Sequence, residues 1–407
     1  HGAAQMAVAK SEAALRLVTT PQLVEVVARR LVVPFAGCCC GLYLFLRRRR
    51  LVRQLALQQS ASAGTTTTTK QPKGLTTDFS TTLSLRLRPL ENRDFSNYFL
   101  QLLAELTTVG ELPKSWCEQR LRMIDRDELQ EVVVLEDLGN AQVCGAATLV
   151  VESKFIHECG RVGHLEDVVV HAGLRGKGLG KKLVERVTEL ARERGCYKIL
   201  VDCTHANIAF YESCGYNRKD AQMARYFDVY GEALPAADPE SSAAELRAAV
   251  ELGSNEKGVF RFRPLRQTDR AQFLRLLAQL TTVGEVSEQL FAEQIARVAR
   301  REREYIIVVE PAEAPDDGSA IVACGTLMVE HKFIHGGRSV GHIEDIVVDS
   351  STRGSGLGKL MISRLTDMAI AAGCYKSILN CSEKNIGFYE KCGYKFKEVS
   401  MAKYLDR

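Results

Sequence analysis

Apolar and polar residues alternate over Leu83-Ser84-Leu85-Arg86-Leu87-Arg88 and again over Val259-Phe260-Arg261-Phe262-Arg263, each run closed by a proline, Pro89 or Pro264. A period of two predicts a short strand in each place. The period then lengthens. Tyr98, Phe99, Leu102, Leu103 and Leu106, like Phe273, Leu276, Leu277 and Leu280, fall on one face of a helix that ends at Leu-Thr-Thr-Val-Gly. After a second helix-like stretch, strand runs cover Glu131–Leu135, Ala146–Val151 and His164–Val170. A glycine-rich loop leads into an amphipathic helix with Leu183, Val187 and Leu190 on its apolar face. A strand ending at Asp202, a short helix over Ala206–Ser213 and a final strand near Met223 follow. Hairpins first and a βαβ unit later predict an α+β fold, a mixed, mostly antiparallel, twisted sheet with helices on both faces.

The whole order occurs twice. Gly163–Tyr216 and Gly341–Tyr394 repeat one another at a constant offset of 178 residues, too long for a solenoid unit. The second copy differs by an insertion, Pro311–Ser319, between its second and third strands, where a hairpin loop tolerates length. The expected organisation is an arm over residues 1–81, a first domain over 82–228, an acidic linker over 229–258 and a second domain over 259–407. Residues 59–81 are rich in Ser, Thr and Gly and cannot bury enough surface to fold alone, so they read as a tether. The linker reads mainly as a spacer, with a short helix over Ala243–Leu252.

Charge changes the picture only for the arm. The chain carries a net charge of +4; residues 1–80 hold eleven Lys and Arg against three acids, an excess of +8 that leaves −4 for the repeats. The repeats therefore lack the basic footprint of a nucleic-acid binder. Within the arm, residues 31–46 are sixteen uncharged residues between arginine pairs and blocks. That is short of the ~20 that cross a bilayer as a helix. Three readings compete: a signal anchor, a membrane-surface segment acylated at Cys38, Cys39 or Cys40, and the remnant of a targeting sequence. The chain begins at His1, which leaves its true N-terminus open. Thirteen cysteines include no C-x-x-C and eight histidines no H-E-x-x-H, so no metal is expected. Cys196, Cys203 and Cys214 recur as Cys374, Cys381 and Cys392 among apolar neighbours and read as reduced core cysteines of a cytosol-facing protein.

The sharpest chemical feature is Arg175-Gly176-Lys177-Gly178-Leu179-Gly180, matched by Arg353-Gly354-Ser355-Gly356-Leu357-Gly358, between a strand and a helix. Glycines let backbone N–H groups turn outward, and a helix N-terminus favours an anion, so the loop suits a pyrophosphate. Glycines alone also serve turn geometry, so the flanking motifs decide. The order Leu-Thr-Thr-Val-Gly, Lys-Phe-Ile-His, Gly-His-(Leu/Ile)-Glu-Asp, the glycine loop, Gly-Cys-Tyr-Lys and Asn-Ile-x-Phe-Tyr-Glu-x-Cys-Gly-Tyr resembles the glucosamine 6-phosphate N-acetyltransferases of the GNAT acyltransferase superfamily. It does so over 82–227 and again over 259–407.

That resemblance implies two tandem GNAT-type domains using acetyl-CoA, on the route to UDP-N-acetylglucosamine. The loops Arg175–Gly180 and Arg353–Gly358 would hold the pyrophosphate, Val168, Val169 and Val170 (Ile346, Val347 and Val348) would run along the pantetheine, and Asn207 and Asn385 would also touch the cofactor. Tyr211 and Tyr389 would donate a proton to the leaving thiolate. Thr107, Lys154, His157, Glu166 and Asp167, with Thr281, Lys332, His335, Glu344 and Asp345, match the sugar-phosphate pocket, and Arg225 and Lys403 match a phosphate-recognising base. A carboxylate or a backbone carbonyl must accept the amine proton, directly or through water: the carboxylates are Glu166, Glu344 and the strand-end acid Asp202, whose place is taken by Asn380 in the second copy, a change that loses little if the carbonyl serves. Members of this family are homodimers that complete each other's sugar site, so the tandem is expected to close as an internal pseudo-dimer or to form a homodimer. In the internal case Asp202 and Arg225 would serve the second pocket and Asn380 and Lys403 the first. Residue by residue, other roles stay open. Adjacent Glu166 and Asp167 should face opposite sides of a strand; Lys154 and Lys332 read equally as surface lysines, His157 and His335 as loop residues, Tyr211 as core. The rival functions are a GNAT enzyme for another amine and a copy that binds acetyl-CoA without turnover.

Overall fold

The computed structural model describes residues 84–126, 129–227, 251–301, 303–315 and 317–405. The arm with its apolar run 31–46, and most of the linker, lie outside the described residues. The first copy contributes β1 (Leu85–Pro89), α1 (Phe99–Ala104), α2 (Lys114–Arg126), β2 (Gln130–Asp137), β3 (Gln142–Ser153), β4 (Arg161–Val170), α3 (Leu179–Glu193), β5 (Cys196–Cys203), α4 (Ile208–Ser213) and β6 (Asn217–Tyr226). The second repeats this order after one extra strand: β7 (Glu251–Asn255), β8 (Gly258–Pro264), α5 (Arg270–Leu277), α6 (Glu288–Arg300), β9 (Glu304–Pro311), β10 (Ala323–Glu330), β11 (Ser339–Val348), α7 (Leu357–Ala371), β12 (Cys374–Cys381), α8 (Ile386–Lys391) and β13 (Lys395–Tyr404). The strand β7 falls within the stretch expected as spacer and helix. It pairs antiparallel with β8, because Glu256-Lys257 makes a tight turn and Glu251 meets Phe262 in register. Among the described residues no helix is long and apolar enough to cross a membrane.

Val132-Val133-Val134-Leu135 shows why helices cover both faces. Val132 and Val134 pack with Phe99, Leu102 and Trp116 of α1 and α2, whereas Val133 and Leu135 pack with Leu183 and Val187 of α3. A strand buried on both sides reads as a continuous apolar run. Each such side chain contributes about 1.5–3 kcal/mol on burial.

Among the described residues thirteen strands form one sheet in the order β1-β2-β3-β4-β5-β13-β6-β12-β11-β10-β9-β8-β7. Only β4–β5 and β11–β12 are parallel. The C-terminal strands are exchanged: β6 of the first copy pairs with β12 of the second, β13 pairs with β5, and the two meet at the centre. The Lys-Phe-Ile-His loops are exchanged as well. Phe333 and Ile334 fill the first copy's helical layer, with the Phe333 ring 5.4 Å from Phe95 and 5.7 Å from Phe99. Phe155 reciprocally lies 5.3 Å from Phe273 and 5.0 Å from Phe291. Backbone bonds fasten both loops: His335 N donates to Thr108 O (2.8 Å) and Glu158 N to Val283 O (2.8 Å).

The centre is strongly coiled. Strands β4 and β11 stand five steps apart, roughly 24 Å in a flat sheet. Yet His164 on β4 and His342 on β11 have ring centroids 5.3 Å apart. The six central strands thus wrap around a shared interior lined by Val162, Leu200 and Ala402 from one side and Ala224, Val340 and Ile378 from the other.

Candidate active site

The parallel pair β4–β5 is hydrogen-bonded from Arg161 to His164 and ends there, although β4 runs on to Val170 and β5 to Cys203. The cause lies at Asp167. It adopts φ 51°, and Ala146↔Val169 is followed by Thr148↔Glu166, so two residues oppose Ala147. This bulge bends β4 away from β5. Asp345 (φ 51°) does the same in β11. The splayed strand leaves backbone amides of Val168–Val170 and Ile346–Val348 facing a cleft, where an extended amide chain can pair with them.

At the cleft's end lie the glycine loops. Gly178 and Gly356 cap α3 and α7 in the left-handed region (φ 76° and 80°), and a Cβ at either would meet nothing within 4 Å. Arg175, Gly176, Lys177 and Gly178 are exposed, Leu179 is buried as the loop's anchor, and the amides of the first helical turn face solvent. Gly180 is small for another reason: a Cβ there would stand 3.2 Å from the Phe210 ring of α4. The Arg175 guanidinium holds the loop by donating to Val170 O (3.0 Å), as Arg353 does to Val348 O (3.1 Å). Open space, outward amides and a helix N-terminus fit an anionic pyrophosphate. Asn207 and Asn385 are exposed at the heads of α4 and α8.

On the shared interior face, Glu166 and Asp167 do not point to opposite sides as the strand period implies. The Lys332 ammonium touches both, at 3.0 Å and 3.1 Å, because the bulge rotates Asp167 toward its neighbour's side. Lys154 likewise touches Glu344 (3.1 Å) and Asp345 (3.2 Å). Neither lysine is a surface residue; both are 3% exposed. Each also pairs with the acid two residues before it, Glu330 or Glu152, and those acids hold His342 (3.0 Å) and His164 (3.1 Å). Burial alone would lower the lysines, but the surrounding carboxylates hold both well above the ordinary lysine range. Burial pushes the Asp167 carboxyl upward despite Lys332. The groups Glu152-His164-Glu344 and Glu166-Glu330-His342 have metal-like spacing, but the lysine ammonium already pairs with the carboxylates of each.

Asp202 stays with its own half. It lies on β5, and burial together with the nearby Glu166 charge raises its carboxyl to about 6. The exchange assigned to it from the sequence does not occur, because among the strands those after α4 and α8 cross over and β5 precedes α4. Asn380 occupies the matching place on β12, opposite Gln222. Tyr211 is buried and Tyr389 half-buried, and burial drives both hydroxyls above the usual tyrosine range, with Glu166 and Glu344 adding to it.

Arg225 and Lys403 do cross over, but they face the other side of the sheet. Arg225 donates to Cys392 O (3.1 Å) and Lys403 to Cys214 O (2.9 Å), each binding the last carbonyls of a short helix. They alternate with Tyr226 and Tyr404, which share the interior face with Lys376 and Lys198 in register. These two lysines of the Gly-Cys-Tyr-Lys motifs, unassigned from the sequence, stand 5.9 Å from the Tyr226 ring and 5.6 Å from the Tyr197 ring. Their motif repeats in both copies, but only the exchanged strands show which pocket each faces. Burial and the neighbouring Lys154 lower Lys198. His335 stacks on Tyr375 at 4.3 Å and meets Thr107 Oγ1 at 3.2 Å; His157 stacks on Tyr197 at 4.5 Å. Thr281 closes α5 by donating its N–H to Leu277 O.

The acetyltransferase (GNAT) family model matches residues 90–216 and 271–394. The chain belongs to the acetyltransferase (GNAT) family. This GNAT chain is 45% identical over 145 residues to glucosamine 6-phosphate N-acetyltransferase 1 of Oryza sativa subsp. japonica, covering 35% of this chain and 87% of that protein. It is 37% identical over 146 residues to the Arabidopsis thaliana glucosamine 6-phosphate N-acetyltransferase, covering 36% of this chain and 98% of the relative. The crystal structure of the Arabidopsis thaliana enzyme aligns with 36% of this chain and 99% of its own at 36% identity and a TM-score of 0.35. Each sequence alignment is about as long as one copy and the family model matches twice, so the GNAT chain carries the family's unit in duplicate.

Proposed function

We propose that the protein transfers the acetyl group of acetyl-CoA to the amine of D-glucosamine 6-phosphate, giving N-acetyl-D-glucosamine 6-phosphate for UDP-N-acetylglucosamine synthesis. The observation that carries this reading is the splayed β4–β5 pair, with an anion cradle at one end and a carboxylate pocket at the other. It occurs in a chain whose relatives of that name are matched over most of their length. Acetyl-CoA supplies the activated thioester. Backbone amides of the glycine loops bind its pyrophosphate, and Val168–Val170 or Ile346–Val348 align its pantetheine. The sugar amine arrives protonated, so a carboxylate takes that proton before nitrogen attacks. In the first half Asp202 and Glu166 stand there. The new C–N bond forms as the C–S bond breaks; Tyr211 or Tyr389, kept protonated by burial, gives its proton to the departing thiolate, and the second proton that the nitrogen loses on becoming an amide restores the tyrosine.

Phosphate recognition falls to Lys376 and Lys198, which face the pocket where Arg225 and Lys403 do not. Residues 31–46 would hold the otherwise cytosolic domains at a membrane. The test is coenzyme A thiol release by the full chain with acetyl-CoA and either glucosamine 6-phosphate or glucosamine. Release confined to the phosphorylated sugar is expected; release with neither points to another amine.

A further inference from the structure

We infer that the two acetyl-transfer sites are unequal, and that the first-half site carries most turnover because it alone has an ionisable strand-end acid, Asp202, positioned by Gln222. The inference rests on the acetyltransferase reading above. Gln222 and Ser400 are equivalent residues, as are Asp202 and Asn380, each pair separated by the repeat offset of 178. Their exchange of partners is not symmetric. Gln222 lies on β6, and its amide reaches over β13 to donate to Asp202 Oδ2 on β5, at 2.5 Å. That path is open because the residue on β13 opposite Asp202 is the short Ser400. The mirror path, from β13 over β6 to Asn380, would have to start from Ser400, which is too short, and would meet Gln222, which stands opposite Asn380.

Asp202 thus has Oδ2 held by Gln222 and Oδ1 shielded from solvent, with the Ser400 hydroxyl opposite it also bonding the carboxyl. Its carboxylate is a strand-end group able to take up a proton. Burial and Glu166 raise it to about 6, so it is ionised yet basic near neutral pH. Asn380 Oδ1 is shielded in the same way, but an amide cannot take up a proton. The proton that leaves the sugar amine therefore has a strand-end acceptor only in the first half.

A second difference points the same way. The first loop and its following turn, residues 175–182, carry Arg175, Lys177, Lys181 and Lys182, whereas residues 353–360 carry only Arg353 and Lys359. Two fewer cations near a bound pyrophosphate weaken acetyl-CoA at the second site by about tenfold.

Kinetics of the full chain at saturating substrates from pH 5 to 9 test the inference. Asp202→Asn, which keeps the Gln222 bond, is expected to leave less than a quarter of wild-type kcat. Asn380→Asp is expected to raise kcat up to about twofold, and Gln222→Ala to move the acid limb of the profile upward from its wild-type place near pH 6. Asp202→Asn retaining a quarter or more of kcat overturns the inference, since two equal sites would leave half. An unchanged kcat in Asn380→Asp overturns it as well, which covers the case of Asp202→Asn failing to fold. Calorimetric titration with acetyl-CoA should show two affinities about tenfold apart that converge in the double variant Ser355→Lys, Leu360→Lys; a single affinity removes the second argument. If wild-type protein releases no thiol with glucosamine 6-phosphate, the substrate reading fails instead, while the titration still reports on the sites.

Discussion

Lys332 illustrates what single residues do here: it belongs to the second copy, yet it neutralises Glu166 and Asp167 of the first from a position 3% exposed to solvent. Removing one partner of a buried ion cluster strands the others. Lys332→Met is therefore expected to cost about 3–5 kcal/mol, read as a lower urea midpoint. Asp202 works in the opposite direction. Its carboxyl is raised to about 6 from an ordinary 3.8, so the folded state holds the proton more tightly than the unfolded one. That preference favours folding below about pH 4 relative to neutral pH, fades as pH rises through 6, and leaves a cost on the order of 2 kcal/mol above it. Asp202→Asn should accordingly raise the melting temperature at pH 7.5 and leave it unchanged at pH 4. An equal gain at both values would disprove the assigned ionisation.

Elements here serve the cleft more than they serve the core. The bulges at Asp167 and Asp345 place two acids against one ammonium and also part the parallel strands. Gly178 starts α3 in a conformation that an L side chain adopts at a cost of about 1–2 kcal/mol. Gly178→Ala should therefore shift or strain the cradle and raise the Kd for acetyl-CoA several-fold, measured by calorimetry. The Lys-Phe-Ile-His loops and the last strands act as clasps. A first half of residues 82–228 lacks Phe333, Ile334 and β13, which complete its own helical layer and sheet. Such a fragment is expected to sediment as a homodimer using its own clasps twice; a folded monomer would contradict the exchange.

At the scale of the molecule, the described residues form one compact unit in which neither copy closes alone. The interlocking predicts a single cooperative transition. Trp116, the only tryptophan, packs in the first helical layer beside Gly337 of the second copy, where a Cβ would come within 2.2 Å of its ring. Trp116 fluorescence and far-UV circular dichroism should give coincident urea curves. Two separated transitions would mean that the halves unfold independently. Both carboxylate clusters share the coiled interior, brought together at the His164–His342 contact. A chain with two unequal sites can thus keep one interior while changing single residues such as Asn380.

Much was determined by the sequence itself. Period-two runs, the helical stripe of Phe99, Leu102 and Leu103, and the glycine loop are local patterns, and local backbone preferences suffice to form them. The family resemblance rested on the same contiguous motifs, and so did the candidate residues Glu166, Asp202 and Tyr211. The tertiary structure decided which copy each side chain serves, because exchange of β6 and β13 is a pairing between residues far apart in sequence. It turned Arg225 and Lys403 toward helix ends and Lys376 and Lys198 toward the interior, a matter of strand parity at the crossover. It also placed Asp167 beside Glu166, since one extra residue in a bulge reverses the alternation that a regular strand imposes.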